Sequence, residues 1–341
     1  EASKTMNNMR LPKLSYHEPK TIDELMDIKK EFGEGCAVLA GGTDIIPMLK
    51  RRNSTVSHLA NIKRIPEFSG ISYDKDKGLE IAPAVTLRDI IDHPSVSKSY
   101  PLLAKAAEGV GFNQLRNMAT LVGNICLDNK CNYFNQSAFW WKSRPDCFKR
   151  GGDQCYVMKG AKSCFALSAA DTLSALVTLE AELLIQGPEK ERITPVEAFY
   201  TGDGRVPHRL DEDEMVTKVE IPAPLEGWRE GFMKKSLRGS VDFAIATLSV
   251  RLKMENHAVA DVRIALNGVS TKPIRARKAE GYMIGKEVND ETVSHATVLI
   301  LKEAAPLSPI GSSVFYRRNM IQVMFNDLIE TITRGERTST D

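Results

Sequence analysis

Four cysteines between positions 131 and 164 are the residues of this sequence best suited to chemistry. The gaps between Cys131, Cys147, Cys155 and Cys164 are 16, 8 and 9 positions, and no CxxC pair occurs among them. Zinc fingers and ribbons carry such closely spaced pairs, so the wide gaps predict an irregular loop whose separate turns enclose one larger object. Four thiolates suit either a structural Zn²⁺ ion or a [4Fe–4S] cluster, and ligand type alone does not separate the two.

The residues around these cysteines favour iron–sulfur chemistry. Between positions 127 and 164 there are seven lysines and arginines against three aspartates, and a basic shell stabilises a four-thiolate cluster because that cluster is anionic. The same charge suits an acidic electron-transfer partner. The alternative is a solvated basic loop whose cysteines are core residues. Seven aromatic residues could shield a cluster from water: Tyr133, Phe134, Phe139, Trp140, Trp141, Phe148 and Tyr156.

Two short loops have the composition of an anion or nucleotide site. An apolar strand at 37–40, the turn Gly41-Gly42-Thr43-Asp44 and a helix at 45–52 form an arrangement that aims free backbone N–H groups at a phosphate. The turn is neither a Walker loop nor GxGxxG, so a plain tight turn before a capped helix is the alternative. A second small-residue turn, 119–124, immediately precedes the cysteine-rich stretch.

Composition limits the remaining classes of function. The chain has 341 residues, of which 42% are hydrophobic and 26% charged, as in ordinary globular proteins with room for two domains. Its formal net charge of +2 gives no general electrostatic argument for nucleic acid. There is no apolar run long enough for a membrane span and no secretory signal pattern near the first residue. We therefore expect a cytoplasmic protein, where clustered cysteines bind metal more often than they form disulfides.

The predicted elements divide the chain at its proline-rich segment 222–228. Before it, α and β units are mixed, with a helix at 21–32, a hairpin around 74–78 and a strand at 215–222. After it, three strands at 230–237, 243–254 and 259–269 precede three helices at 274–284, 291–305 and 314–334. Strands followed by helices indicate an α+β fold for the second domain. We predict domains at 1–226 and 227–341, with the cysteine-rich insert at 127–166.

The two loops resemble those of a known family. Residues 38–44 are similar to the first FAD pyrophosphate loop in the flavin subunits of molybdenum hydroxylases, the xanthine dehydrogenase and carbon monoxide dehydrogenase relatives. Residues 116–125 resemble their second loop, although Val122 replaces the first glycine of its Gly-Gly-Asn end. Asp171 and Lys234 match an aspartate and a lysine that lie near the flavin in that family. The resemblance implies an α+β fold: a two-subdomain α/β FAD-binding domain of the PCMH type, then a C-terminal domain with a three-stranded antiparallel sheet and helices.

The resemblance also implies the residues that bind FAD. Asp171 and Lys234 would contact its ribityl chain or ring, and no residue of this chain would act on a substrate. Tyr200 could lie against the flavin ring or simply pack in its loop. The implied cofactor-binding residues are Leu39, Ala40, Gly41, Gly42, Thr43, Asp44, Ala119, Thr120, Val122, Gly123, Asn124, Asp171, Val216 and Lys234.

The insert is most similar to the cluster loop in the flavin subunit of 4-hydroxybenzoyl-CoA reductases. That similarity implies that Cys131, Cys147, Cys155 and Cys164 hold a [4Fe–4S] cluster. It further implies a large molybdopterin subunit and a small [2Fe–2S] subunit in a dimer of heterotrimers, with ferredoxin as the electron donor. Two alternatives stay open: the flavin subunit of another molybdenum hydroxylase acting on an aromatic or N-heterocyclic substrate, and a flavoprotein scaffold stabilised by zinc.

Overall fold

The computed structural model describes residues 10–239, 241–307 and 312–334. In chain order the strands are β1 Ser15–His17, β2 Cys36–Leu39, β3 His58–Asn61, β4 Ile71–Asp74, β5 Gly78–Ile81, β6 Glu182–Gln186, β7 Glu191–Pro195, β8 Tyr200–Asp203, β9 Val206–His208, β10 Met215–Ile221, β11 Trp228–Lys235, β12 Ala246–Glu255, β13 Ala258–Asn267 and β14 Ile274–Arg275. The helices are α1 Ile22–Phe32, α2 Ile45–Lys50, α3 Leu87–Asp92, α4 Pro94–Ser99, α5 Pro101–Glu108, α6 Asn113–Arg116, α7 Leu121–Ile125, α8 Ala138–Trp141, α9 Leu173–Thr178, α10 Arg277–Met283, α11 Asp290–Ala304 and α12 Val314–Arg334.

A small parallel sheet carries the first glycine loop. Its strand order is β1-β3-β2, and β3 runs parallel to both neighbours. Helix α1 begins after Thr21, whose hydroxyl accepts from the Glu24 N–H at 3.2 Å, and it packs Leu25 and Met26 against the sheet. Burial of this helix face fixes the position of β2. The position of the glycine turn that follows β2 is therefore fixed as well.

The second loop lies against a larger antiparallel sheet. Its order is β4-β5-β10-β6-β7, with β10 in the centre. Helix α9 is buried along its whole length and packs against strands β12 and β13 of the C-terminal part and against helix α5. The predicted strand at 215–222 corresponds to β10, but the predicted loop between 202 and 214 contains strand β9. The main apolar cluster of the molecule therefore surrounds the segments that lead into and out of the insert.

The C-terminal part has the predicted order of strands followed by helices. Strands β11, β12 and β13 form an antiparallel meander, and the two-residue strand β14 adds a fourth, short edge strand. Residues 274–275 were predicted as the start of a helix; instead they pair with β13, and α10 begins at Arg277. Helices α10, α11 and α12 cover one face of the sheet. The α+β fold class with its two kinds of unit is confirmed.

Backbone and side-chain bonds tie the C-terminal part to the end of the insert. Asn267 Nδ2 donates to the Ala170 carbonyl at 2.8 Å, and the Ser168 N–H donates to the Ser270 carbonyl at 3.0 Å. These contacts fix residues 168–171 beside strand β11, which carries Lys234. Within the described ranges, no helix is both long and apolar enough to cross a membrane.

Candidate functional site

The two glycine-containing loops touch each other, and Gly41 makes this contact possible. A Cβ atom at Gly41 would overlap the Met118 carbonyl oxygen and lie 2.9 Å from Ala119 Cα. Gly42 has a φ of +72°, a backbone conformation that favours glycine. Residues 41–44 lie between the end of β2 and the start of α2, where the first N–H groups of a helix lack partners within it. The two loops, 41–44 and 119–124, are distant in the sequence but together form one continuous edge of the site, which we call the glycine lip.

Hydrogen bonds hold the second loop in place. The Leu87 N–H donates to the Ala119 carbonyl at 2.8 Å, which pins the loop to the start of α3. Thr120 is the N-cap of α7, and its hydroxyl accepts from the Gly123 N–H at 3.0 Å. Asn124 Oδ1 accepts from the Thr172 hydroxyl at 2.7 Å. The loop is thus connected to the segment that carries Asp171.

A cleft of about 500 Å³ opens between these loops and the segment at 169–171. Its volume lies within the roughly 300–1,000 Å³ typical of cofactor sites. Ten of the fourteen predicted cofactor-binding residues line it: Ala40, Gly41, Gly42, Thr43, Asp44, Ala119, Thr120, Gly123, Asn124 and Asp171.

The other four predicted residues do not line the cleft. Leu39 ends strand β2, and Val122 and Val216 are buried in the main apolar cluster. Val122 is turned inward because helix α7 buries it beside Leu121 and Ile125. Tyr200 is also buried, and its hydroxyl donates to the Ile125 carbonyl at 2.9 Å instead of facing the cleft.

Lys234 lies behind the cleft and holds Asp171. Its ammonium donates to Asp171 Oδ2 at 2.7 Å, to the Gly109 carbonyl at 2.8 Å and to the Asp242 carbonyl at 3.0 Å. The other carboxylate oxygen, Asp171 Oδ1, is buried and has no hydrogen-bond partner within the described residues. Burial raises the pKa of Asp171 to about 6, against the opposing effect of Lys234. Asp171 lines the cleft, and this oxygen is left as an acceptor without a partner among the described residues.

Several cleft residues escaped sequence reasoning. The segments at 110–115, 238–239 and 241–243 contribute Val110, Gly111, Leu115, Arg238, Val241, Asp242 and Phe243. Cys126 also lines the cleft, and burial raises the pKa of its thiol to about 12. No local pattern identifies these residues, because they reach the cleft through the packing of β11 and α5.

The cleft fits the FAD that the loop resemblance implies. The glycine lip offers close backbone approach to a pyrophosphate, as in other dinucleotide sites. The unpaired Asp171 Oδ1 is suited to accept from a ribityl hydroxyl, and a buried acceptor without a partner is costly unless a ligand satisfies it. When bound, FAD supplies a carrier for one or two electrons.

The insert is closed at its base by a pair of backbone hydrogen bonds. The Lys130 N–H donates to the Leu167 carbonyl at 2.8 Å, and the Leu167 N–H donates back at 2.9 Å. Asn129 Nδ2 adds bonds to the carbonyls of Ala166 and Thr271. A tight turn follows Cys147, whose carbonyl accepts from the N–H groups of residues 150 and 152. A Cβ at Gly152 would overlap the Asp146 carbonyl oxygen, so this turn requires glycine.

The four predicted ligand cysteines line one small cavity inside the insert. Cys147 and Cys164 are buried, and Cys131 and Cys155 are partly buried. Burial raises the pKa of the Cys131 thiol, and it raises that of Cys164 to about 11. In the part of the chain that the structure describes, no group of three or more His, Cys, Asp or Glu side chains is arranged to hold a metal ion. The four cysteines nevertheless line the same cavity.

Aromatic and basic side chains surround this cavity. The Tyr133 and Tyr156 rings stack with centroids 5.2 Å apart, and the Trp141 indole N–H donates to the Phe134 carbonyl at 3.1 Å. The Arg150 guanidinium lies 3.8 Å above the Trp141 ring. Four of the seven aromatic residues expected to shield a cluster line the cavity, Tyr133, Phe134, Phe148 and Tyr156, whereas Phe139 is 81% exposed.

Replacing Asp171 by asparagine should change both FAD affinity and the pH dependence of stability. Since the pKa of Asp171 is about 6 when folded and about 4 when unfolded, unfolding releases a proton between these values and stability falls as pH rises. Over this window the FAD-free wild type should lose roughly 2–3 kcal/mol that the variant retains. FAD should bind the variant about tenfold more weakly, because a charged acceptor is lost. Denaturant titrations at several pH values and FAD titration measure both effects; an unchanged pH slope would contradict the assignment.

Comparison with known proteins identifies the two parts of the chain. A family model described as the FAD binding domain in molybdopterin dehydrogenase matches residues 10–224. A second, the CO dehydrogenase flavoprotein C-terminal domain, matches residues 232–332.

Relatives with these domains align over nearly their whole length. The xanthine dehydrogenase FAD-binding subunit of Escherichia coli O157:H7 is 26% identical, covering 92% of this chain and 94% of its own. The glyceraldehyde dehydrogenase medium chain of Sulfolobus acidocaldarius is 26% identical, covering 92% and 96%. A chain in the solved carbon monoxide dehydrogenase from Hydrogenophaga pseudoflava is 25% identical with a TM-score of 0.79, covering 96% and 99%. The protein therefore belongs to the family of FAD-binding subunits, or medium chains, of molybdenum hydroxylases such as xanthine dehydrogenase and carbon monoxide dehydrogenase.

Proposed function

We propose that this chain is the FAD- and [4Fe–4S]-carrying electron-transfer subunit of a molybdenum-dependent 4-hydroxybenzoyl-CoA reductase. The observation that carries the proposal is the single cavity lined by all four cysteines of the insert, next to the FAD cleft. An ordinary flavin subunit of this family has no need of such a cavity. The similarity of the insert to the cluster loop of these reductases supports the choice of substrate.

The surroundings of the thiols favour a cluster over a zinc ion. Both groups bind four thiolates, so the ligands alone do not separate them. The cavity that the four cysteines share is also lined by Tyr133, Phe134, Phe148, Tyr156 and Lys149. The cation suits a cluster because that cluster is anionic. The aromatic shell would keep water from this cluster.

Within such a complex the chain would conduct electrons and would not act on the substrate itself. A large molybdopterin subunit would bind 4-hydroxybenzoyl-CoA and remove its phenolic hydroxyl, and a small [2Fe–2S] subunit would connect that site with FAD. We propose a dimer of such heterotrimers. Gly41, Thr120 and Asn124 would hold the FAD pyrophosphate region, and Asp171 the ribityl chain. Lys234 would act by holding the Asp171 carboxylate.

A reduced ferredoxin is the donor that the insert's surface suits. Arg144, Lys159 and Lys162 are exposed on it, and acidic partners associate faster with a basic face. All six cysteines are free thiols in the structure. A cytoplasmic location, where thiols stay reduced, is part of the proposal.

Reconstitution with the partner subunits tests the proposed substrate. The anaerobic complex, supplied with a low-potential one-electron donor and 4-hydroxybenzoyl-CoA, should form benzoyl-CoA. Absence of product, while the same complex oxidises an aromatic or N-heterocyclic substrate, would favour the alternative. That alternative is another molybdenum hydroxylase with electrons running outward, and the similarity to a xanthine dehydrogenase subunit supports it.

A further inference from the structure

One ion pair spans the wall between the cysteine cavity and the FAD cleft. Lys149 lines the cavity together with the four cysteines, and Asp128 lines the cleft. The Lys149 ammonium donates to Asp128 Oδ1 at 2.7 Å and to the Gly204 carbonyl at 2.6 Å. The pair therefore lies between the two sites, with Lys149 on the side of the cysteine cavity and Asp128 on the side of the cleft.

Lys149 differs from the exposed cations of the insert. Its side chain is only 5% exposed and lies 5.3 Å above the Phe134 ring, whereas Lys142 on the same loop is exposed to solvent. A charge that is buried and held by fixed partners is screened little by water or salt, while an exposed charge is screened strongly.

We propose that Lys149 sets the reduction potential of the cluster held by the four cysteines, and that Asp128 limits its effect. The inference rests on the proposed function. Reduction adds one negative charge to a cluster that is already anionic, so a fixed neighbouring cation stabilises the reduced form. The process moves electrons only: a low-potential donor is oxidised by one electron as the cluster is reduced by one. No covalent bond is made or broken.

The ion pair predicts that replacing Lys149 and replacing Asp128 shift the equilibrium constant for cluster reduction in opposite directions. Lys149→Met removes the cation and should lower the equilibrium constant for cluster reduction at least about tenfold, which is about 59 mV for a one-electron couple. Asp128→Asn leaves the cation without its counter-charge and should raise the same constant. Lys149→Arg keeps the charge and should stay close to wild type. Lys142→Met, an equal charge change at an exposed position, should also leave the constant unchanged.

An anaerobic dithionite titration followed by electron paramagnetic resonance measures these shifts on the purified chain. An unchanged constant in Lys149→Met, or an equal shift in Lys142→Met, would overturn the proposal. If Lys149→Met fails to assemble the cluster, Asp128→Asn decides: a higher constant supports the proposal, and an equal or lower one overturns it. Wild-type protein without iron would instead refute the proposed function, so the two failures are distinguishable.

Discussion

Replacing Cys147 by serine is expected to remove nearly all iron from the anaerobically purified chain while leaving its FAD in place. Iron should fall from about four atoms per chain to below about one, because serine does not supply the thiolate that the cluster needs. Cys147 lines the cysteine cavity but not the FAD cleft, so loss of the cluster should spare the flavin. Iron, sulfide and acid-released FAD are measured on the same sample.

Cys36→Ser is the matched control for this substitution. Cys36 is buried to the same extent, at 9% exposure, but lies in strand β2 outside the cysteine cavity. The same atom change there should leave iron content unaltered. Full iron content in Cys147→Ser, or equal loss in both variants, would contradict the assignment of Cys147 as a ligand.

Replacing Gly41 by alanine is expected to lower FAD affinity by up to about a hundredfold. The added Cβ would overlap the Met118 carbonyl oxygen, so the two loops must separate at the point where they form the lip of the cleft. Overpacking of this kind costs up to about 3 kcal/mol, which corresponds to about two powers of ten in affinity. Titration of the FAD-free chain with FAD, followed by flavin fluorescence, gives the affinity.

Gly35→Ala is the control variant for Gly41→Ala. A Cβ at Gly35 would lie 3.8 Å from the Ser57 hydroxyl oxygen, an ordinary contact, and should leave FAD binding intact. Thermal unfolding of both variants separates a local effect on the cleft from loss of the fold. Wild-type FAD affinity in Gly41→Ala would show that the contact between the loops does not shape the site.

The parts of the fold that the sequence predicts are those with local signals. Apolar alternation and turn residues placed β11, β12 and β13 within two or three residues, and Thr21 marked the start of α1. The glycine turn at 41–44 and the cysteine spacing were also visible, since both depend on residue type and order. Strand β14 was missed because two residues paired at a sheet edge leave no periodic pattern.

The arrangement of the site depends on contacts between distant residues, which no local pattern reveals. The Lys130 ammonium binds Asp44 Oδ1 at 2.5 Å and so joins the start of the insert to the first loop across 86 positions. Lys149 and Asp128 likewise meet only through the fold of the insert. The burial of Val122 was likewise not visible in the sequence, because it depends on how α7 packs against the main apolar cluster.

The metal content of the wild-type chain tests the central claim most directly. The chain should be purified without oxygen, and its iron, acid-labile sulfide, zinc and FAD determined together. We predict about four iron and about four sulfide atoms per FAD, with no stoichiometric zinc. A chain that retains FAD but contains about one zinc and no iron would contradict the account and establish the cysteine cavity as a structural zinc site.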